Sequence, residues 1–347
     1  MSELYYPVLK NKRTSFFAVR DLKKETKTKI LPIFEIIPEE EINPKKIVSN
    51  LKLYLPEKMT VMLDFVYLDN GDNNVGDIIS ETMNYCKEEN INAIPMTGIG
   101  RSEEYTRAIS LIVKDLSIDD IAIRIPLALV TPDINISDVL NRIIVNMELS
   151  PDKLRLFLDM EDIDRNVYFY AAEKVLSEIA NSQYKSIGIL AGAFPSSEKL
   201  KDLKGDFREV ERFDYTIWKL LKKIDKQFVE NLAYGDYTTR DVDLPYNGIP
   251  RHIVPVLRYT KADYYYIWRG FSSVNHERGM HQFNDACAIL CQQPFFRGRD
   301  FSAGDRMIFE KANNPDSSAG NQATWAQIGI NQHIEFVVSQ ISNSDVF

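Results

Sequence analysis

Short apolar runs alternate with amphipathic stretches from the start of the sequence to residue 240, and this alternation constrains the fold more than any other feature. The runs are apolar on both faces, which is typical of strands in a parallel sheet covered by crossover helices. The predicted strands are Tyr5–Leu9, Lys29–Ile37, Thr60–Tyr67, Asn92–Met96, Asp120–Ile125, Lys153–Asp159, Ser186–Ala193 and Phe228–Tyr234. Eight such units predict an α/β fold of the closed (β/α)8, TIM-barrel type. An open doubly wound sheet is the alternative, but no glycine-rich first turn of the dinucleotide-binding kind is present.

Helical patterns fill the intervals between these strands. The predicted helices are Ser15–Glu25, Pro44–Leu55, Gly76–Glu89, Glu103–Leu116, Ile136–Met147, Asn166–Asn181 and Ser197–Gln227. After residue 240 the pattern changes to a hairpin (Ile253–Arg258 and Tyr264–Arg269), a helix (Met280–Cys291), an arginine-rich loop (Arg297–Arg306), a polar linker (Asn313–Asn321) and a closing helix (Thr324–Ser339). We therefore expect a barrel over residues 1–240 and, over residues 241–347, an α+β extension that folds back over the carboxyl end of the barrel.

The charge balance and the cysteines exclude several classes of protein. The chain carries 42 Lys and Arg against 50 Asp and Glu, a net charge of −8, which argues against broad non-specific DNA binding. Three cysteines are too few for a disulfide framework and indicate a reducing compartment. No signal-peptide pattern opens the chain, and no apolar run reaches the ~20 residues of a membrane span. We therefore expect a cytoplasmic protein without membrane contact.

Several predicted strands carry a charged residue near the carboxyl end, where barrel enzymes place their active sites. Glu35, Asp64 and Asp159 interrupt strands that are otherwise apolar, and a buried carboxylate is costly unless it is paired. With Lys10 and Arg124 they would form a polar pocket suited to acid–base or metal-assisted chemistry. We assign the three carboxylates as candidate catalytic residues and both cations as ligand-binding residues. The alternative is that these groups only satisfy one another inside the barrel.

Asp236 follows the eighth predicted strand and is assigned to the same ligand-binding set. No cofactor can be assigned from the sequence.

The arginine-rich segment offers a second group of candidate ligand-binding residues. Arg297, Arg299 and Arg306 lie within ten residues, and Asp300 lies among them. The guanidinium group is suited to two-point recognition of phosphates and carboxylates. His333, in the closing helix, is added as a proton donor. The alternative is that these arginines meet internal acids and fasten the extension to the barrel.

Two further patterns are better explained by packing than by chemistry. His276, His281, Cys287 and Cys291 could be drawn as a zinc site, but both cysteines occupy one apolar helix face, and we predict no metal site. The aromatic run Tyr264–Trp268 could stack nucleic-acid bases, but alternation along a strand directs half of these rings into a core.

Four segments of the chain resemble the Beta protein family. They are Tyr6-Pro7-Val8-Leu9-Lys10, Leu31-Pro32-Ile33-Phe34-Glu35, Gly298-Arg299-Asp300-Phe301-Ser302-Ala303-Gly304-Asp305-Arg306 and Trp325-Ala326-Gln327-Ile328-Gly329-Ile330-Asn331-Gln332-His333. Members occur in phages, prophages and bacterial mobile or defence loci. The resemblance implies a phage-related or anti-phage role within a multi-gene system, but it assigns no catalytic residue. The early His-Arg pair of glycerophosphodiester-type barrels is missing, since His252 is the first histidine.

Together these features predict a phage-encoded or phage-defence protein whose barrel mouth binds a phosphate-bearing ligand, such as a nucleotide or a nucleic-acid end, and can hydrolyse it. Its expected partners are other proteins of a defence or phage operon. The alternative is a non-enzymatic sensor or assembly subunit that binds a partner protein through the same face.

Overall fold

A computed structural model describes residues 4–38, 42–71, 74–163, 168–180, 182–224, 232–242 and 253–344. Eight parallel strands close into a barrel in the order β1-β2-β3-β4-β5-β6-β7-β9, which confirms the predicted (β/α)8 barrel. These strands are β1 (Tyr5–Lys10), β2 (Ile33–Glu35), β3 (Val61–Asp64), β4 (Ala93–Gly98), β5 (Ile121–Pro126), β6 (Leu154–Asp162), β7 (Ser186–Gly192) and β9 (Leu232–Asp236). Strand β9 closes the barrel because Tyr234 pairs with Ile189 on one side and Tyr5 on the other.

The chain divides into two compact units. The barrel unit comprises the described residues of Met1–Asn11, Ile30–Gly192 and Phe213–Asp236, and the second unit those of Lys12–Lys29, Ala193–Arg212 and Tyr237–Phe347. The predicted placement of residues 241–347 as a separate extension stays a prediction. None of the described helices is long and apolar enough to cross a membrane.

Four of the described barrel helices begin at side chains that cap them. The barrel helices are α3 (Pro44–Tyr54), α4 (Val75–Glu88), α5 (Glu103–Leu116), α6 (Ile136–Met147), α7 (Phe169–Ile179) and α8 (Phe213–Leu221). Asn43, Asn74, Ser102 and Asn135 each accept a hydrogen bond from the backbone N–H three residues on, which satisfies a donor that the helix leaves open. Each of these four helices then buries one apolar face, as the sequence predicts.

The strand register stacks the barrel interior in layers. Val8, Ile33, Met62 and Ile94 are consecutive register partners and are all buried. Two residues further along β1, β2 and β3, on the same face, the charged side chains begin. The interior is therefore apolar up to the level at which the strands end.

An ion pair lies at the amino end of the barrel. Arg155, at the start of β6, donates from Nε and Nη2 to the two carboxylate oxygens of Asp120 at 2.8 and 3.0 Å. Lys185 donates to the same carboxylate at 2.6 Å. This bidentate pair is satisfied within the barrel unit, and residues at this end of the fold contribute to stability.

The second unit contains a three-stranded antiparallel sheet in the order β10-β11-β8. Its strands are β8 (Asp206–Glu211), β10 (Val256–Lys261) and β11 (Tyr264–Arg269), and its helices are α1 (Arg13–Arg20), α2 (Lys24–Lys27), α9 (Gln282–Cys291), α10 (Ala303–Asn313) and α11 (Gln322–Ser344). Trp268, Phe283 and Trp325 form the centre of its core, and the last two rings stack at 4.0 Å. Cys287 lies in the same core, where burial raises the pKa of its thiol.

Two predicted elements of this region are wrong. Ser197–Gln227 is not one helix, because Asp206–Glu211 is strand β8 and α8 begins at Phe213. The charged residues of β8 resemble a solvated helix face, but the strand is stabilised by pairing with the distant Tyr264–Arg269. Arg297–Arg306 is not wholly a loop, because helix α10 starts at Ala303. Part of the predicted strand Phe228–Tyr234 lies outside the described residues.

Helix α10 packs against α11 through a glycine. An added Cβ at Gly304 would lie 2.6 Å from the backbone oxygen of Ile328 and 3.1 Å from Cβ of Gln332. We expect Gly304→Ala to lower the free energy of unfolding by about 1–3 kcal/mol, because the helices must move apart. Chemical denaturation followed by circular dichroism measures this.

Gly76→Ala is the matched control. Gly76 is also the second residue of its helix, but an added Cβ would meet mainly the flexible side chain of Glu104. Alanine favours a helix over glycine by about 1 kcal/mol, so this variant should be unchanged or more stable. Equal effects of the two substitutions would contradict the packing argument.

Candidate functional site

Six charged side chains meet at the carboxyl end of the barrel. Lys10, Glu35 and Asp64 end β1, β2 and β3 and are register partners in that order. Arg124 and Asp159 come from β5 and β6, and Arg101 follows β4. We call this set the mouth cluster; its members are Lys10, Glu35, Asp64, Arg101, Arg124 and Asp159. The structure thus brings together Lys10, Arg124 and the three candidate catalytic carboxylates predicted from the sequence.

Arg124 is the centre of the mouth cluster. Its Nε donates to Asp159 at 2.6 Å, and its Nη1 donates to Glu35 at 2.7 Å and to Asp64 at 2.8 Å. The three carboxylates are at most 1% exposed. One guanidinium group therefore compensates three buried negative charges, with its donors directed at separate strands.

Arg101 provides a second guanidinium group to Asp64. Its Nη2 lies 3.0 and 3.1 Å from the two carboxylate oxygens, and 7% of its side chain is exposed. The ring of Tyr105 lies below this guanidinium, 5.3 Å from its centre. Nε of Arg101 is buried and has no hydrogen-bond partner among the described residues. This N–H is a strong donor with no acceptor in place.

Lys10 closes the cluster on the side of β1. Its Nζ donates to Glu35 at 2.5 Å and to the hydroxyl of Tyr67 at 2.6 Å. Burial, and then the charge of Glu35, raise the pKa of Tyr67, so the phenol stays protonated at neutral pH. Tyr67 is consequently a hydrogen-bonding group in this site and not a base.

The mouth cluster contains three cations and three carboxylates, so its formal charge is zero. Each carboxylate already receives at least one charge-assisted hydrogen bond. Asp64 accepts another from the backbone N–H of Val66 at 3.0 Å, and Asp159 one from Glu161 at 2.9 Å. Because all three carboxylates already accept hydrogen bonds from the cations of the cluster, the geometry favours binding over general-base chemistry.

Asp236 is not part of this cluster. Its register partner on β1 is Pro7, and Tyr5 and Tyr234 donate to its two oxygens at 2.5 and 2.8 Å. The neighbouring Gly235 faces Leu190 in the barrel interior, so alternation directs the side chain of Asp236 to the outer face. Its predicted ligand-binding role has no counterpart in the mouth geometry.

The arginine-rich segment belongs to the second unit, where Arg297, Arg299, Asp300 and Arg306 are all exposed. The guanidinium of Arg297 lies over the ring of Phe301 at 4.5 Å, and Arg299 faces Glu310 at 3.9 Å. Their role as ligand-binding residues stays a prediction.

Ser302 and Asp305 explain why this segment turns into a helix. Ser302 Oγ accepts from the N–H of Asp305 at 2.9 Å and donates to its carboxylate at 2.5 Å, while Tyr259 donates to the same carboxylate at 2.9 Å. This is a Ser-x-x-Asp cap at the start of α10. The Ser-x-x-Asp spacing is present in the sequence and indicates a helix start, whereas the sequence analysis predicts a loop over this segment.

His333 is buried in the second unit. Its Nδ1 lies 2.8 Å from Thr260 Oγ1, and its ring stacks on Tyr265. The adjacent Gln332 accepts from the backbone N–H of Thr260 and donates to its carbonyl, as a neighbouring strand would. His333 is thus held inside the second unit, and its role as a proton donor stays a prediction.

The residues that sequence reasoning missed are Arg101, Tyr67 and Tyr105. The signal for Arg101 was the run Gly98-Ile99-Gly100-Arg101 directly after a strand. A Cβ at Gly98 would lie 2.6 Å from the carbonyl oxygen of Arg124, and Gly100 has a φ of +86°. Both glycines are needed for the turn that directs Arg101 back to Asp64.

The fold and the cluster define a (β/α)8 barrel with a charge-compensated polar site at the carboxyl ends of its strands. The chain belongs to the Beta protein family, whose model matches residues 5–339. A comparison with curated proteins finds no match. Among the described residues, no three His, Cys, Asp or Glu side chains are grouped as a metal ion would require.

Asp64→Asn tests how far the barrel depends on this compensation. The change leaves Arg101 and Arg124 with excess positive charge in a buried site, so we expect a loss of about 3–5 kcal/mol in unfolding free energy. Glu148→Gln breaks the exposed pair with Lys114 and should have little effect. Chemical denaturation of both variants is the measurement. Equal, small effects would show that the mouth cluster is dispensable for stability.

Asp305 makes stability depend on pH. Burial raises its pKa from 3.8 to about 6, although the hydrogen bonds from Ser302 and Tyr259 act in the opposite direction. The folded state then binds a proton more readily than the unfolded state, so stability from this group should rise as pH falls from 7 to 4. Asp305→Asn cannot titrate, and wild type should gain about 2–3 kcal/mol relative to it over this interval. Denaturation curves across the interval measure the difference; a constant difference would contradict the raised pKa.

Proposed function

We propose that the mouth cluster binds a phosphate-bearing ligand, a nucleotide or a nucleic-acid end. The observation that carries this proposal is the buried Nε of Arg101, which has no acceptor among the described residues while Nη2 of the same group is held by Asp64. An unsatisfied buried donor costs about 1–3 kcal/mol, more for a charged group, and a phosphate oxygen would remove this cost. The fork of a guanidinium group suits such an oxygen.

A shallow cleft borders the cluster and opens to solvent. Its interior has room for about one water molecule, about 10 Å³, and it is lined by Asn11, Ile36, Ile37, Ile42, Asn43, Lys46, Ile47 and Asn50, so the rest of such a ligand would lie on this surface and not inside the protein. Its lining begins one residue beyond Lys10 and one residue beyond Glu35. The apolar isoleucines and the amides of the asparagines suit an organic group with a few polar atoms.

The pairing of every carboxylate in the cluster favours binding without turnover, which supports the second candidate function, a non-enzymatic sensor or assembly subunit. Hydrolysis of the bound ligand is a second step that we propose, and a turnover assay would establish it. From the sequence resemblance described above, we propose a phage-related or anti-phage role in the cytoplasm, with other proteins of the same operon as partners.

Arg101→Lys tests the binding proposal. Lysine keeps the charge but loses the Nε donor, so the affinity for adenosine monophosphate and for a 5′-phosphorylated oligonucleotide should fall about tenfold or more. Arg155→Lys is the matched control, because both side chains are 7% exposed and both arginines contact an aspartate. It lies at the amino end of the barrel and should change stability without changing affinity. Isothermal titration calorimetry measures both.

Two results would sink this proposal: no binding of any phosphate-bearing probe to the wild type, or an equal loss in both variants. Incubation with the same probes, followed by chromatography of the products, separates an enzyme from a binding protein. In phage infection assays, Arg101→Lys should remove any protection that the wild type gives, and Arg155→Lys should retain it.

A further inference from the structure

One arginine of the second unit has no carboxylate partner among the described residues. Arg258 lies on β10, its Nη1 donates to the carbonyl of Val256 at 3.1 Å, and its guanidinium lies 5.4 Å from the ring centre of Phe194. Its Nε is buried and has no partner, and no carboxylate of the described residues pairs with it. A buried guanidinium group normally meets a carboxylate or several carbonyls, as Arg124 and Arg155 do.

A second arginine lies close to the first. Arg240 follows β9, and its guanidinium makes no hydrogen bond or ion pair with the residues that the structure describes. Burial, and then the charge of Arg240, lower the pKa of Arg258 to about 9. Burial also lowers the pKa of Arg240, and the adjacent Asp241 offsets part of this effect. The side chain of Arg240 is partly exposed, so solvent screens part of the repulsion between the two like charges, and an anion between them would remove it.

Thr239 adds a hydroxyl group to this pair. Its Oγ1 is buried and has no hydrogen-bond partner among the described residues. Thr239 and Arg258 both pack against Gly329 on α11, because an added Cβ there would lie 2.9 Å from Thr239 Oγ1 and 3.3 Å from Cβ of Arg258. The backbone also turns sharply, since the preceding Thr238 has a φ of +58°. A threonine in that region is strained, and such strain is common where a chain is shaped around a ligand.

We propose that Arg240, Arg258 and Thr239 form a binding site for a phosphoryl group. Two guanidinium groups and a hydroxyl supply several donors and two positive charges, which match a phosphate dianion better than a single carboxylate. The anion would accept from Nε of Arg258 and from Thr239 and would separate the two arginines. This site goes beyond the mouth proposal, because its residues belong to the second unit and none belongs to the mouth cluster.

Two substitutions test this site. Each should leave the thermal midpoint without phosphate unchanged or higher, and each should remove the rise of the midpoint that phosphate causes. Arg258→Met removes a buried charge that has no counter-ion, so the thermal midpoint without phosphate should stay equal or rise. Thr239→Val removes an unsatisfied hydroxyl at nearly equal volume and should behave the same way. Inorganic phosphate should raise the midpoint of the wild type, and both variants should lose this rise, with at least about a tenfold loss of phosphate affinity.

Arg208→Met is the control. Arg208 lies in the same row of the sheet, since both Arg258 and Arg208 pair with Ile267, but its side chain is exposed. This variant should keep the full response to phosphate. Potassium chloride at equal ionic strength controls for screening. Adenosine monophosphate should raise the wild-type midpoint at least as much as phosphate, and adenosine should not raise it.

The proposal is overturned if phosphate does not stabilise the wild type beyond the chloride control, or if Thr239→Val responds as the wild type does. Thr239→Val carries the test if Arg258→Met fails to fold. Arg101→Lys should keep its response to inorganic phosphate. Because adenosine monophosphate can occupy both sites, the mouth site is tested in the Thr239→Val background. If adding Arg101→Lys to Thr239→Val leaves the remaining affinity for adenosine monophosphate unchanged, the mouth proposal is overturned and this one stays in place.

Discussion

The barrel depends on one guanidinium group more than on any other polar side chain. Arg124 donates to carboxylates from three different strands, and without it Glu35, Asp64 and Asp159 would be buried negative charges at the point where the strands end. The apolar layers beneath it could accept hydrophobic residues of similar size in many arrangements, but the top layer requires charges of opposite sign at fixed positions. Arg101 and Lys10 complete this balance.

Arginine side chains in the two units of this chain differ in how their charges are compensated. In the barrel unit, the charges of Arg124 and Arg155 are compensated by carboxylates at 2.6 and 2.8 Å. In the second unit, Arg258 has no carboxylate partner among the described residues, and the charge of Arg240 is offset in part by the adjacent Asp241. A buried charge without a partner lowers stability, and a bound anion would supply the missing charge. This contrast supports a ligand site in the second unit as well as one at the barrel mouth.

The barrel could be predicted from the sequence because each strand and helix carries its own pattern. Apolar runs of strand length and capping residues such as Ser102 and Asn135 are local signals, and the helices Glu103–Leu116 and Ile136–Met147 were predicted to the residue. The convergence of Glu35, Asp64 and Asp159 followed from the geometry of parallel strands. Strand β8 could not be found this way, because its identity is set by pairing with Tyr264–Arg269, far away in the sequence. Arg258 could likewise not be found this way, since only the fold shows that no carboxylate of the described residues pairs with it.

The contacts of helix α11 also determine when the second unit can finish folding during synthesis. Asn331 donates to the carbonyl of Ala18, and Glu335 accepts from the backbone of Lys23 and the hydroxyl of Thr26, across 313, 312 and 309 residues of sequence. During synthesis, α1 and α2 therefore leave the ribosome about three hundred residues before their partners. The barrel strands are complete at Asp236, while these two helices must wait for about a hundred further residues, some five to twenty seconds at usual rates of translation. During that interval their apolar faces need either a chaperone or a temporary partner, and a chain that stops before Asn331 never provides the permanent one.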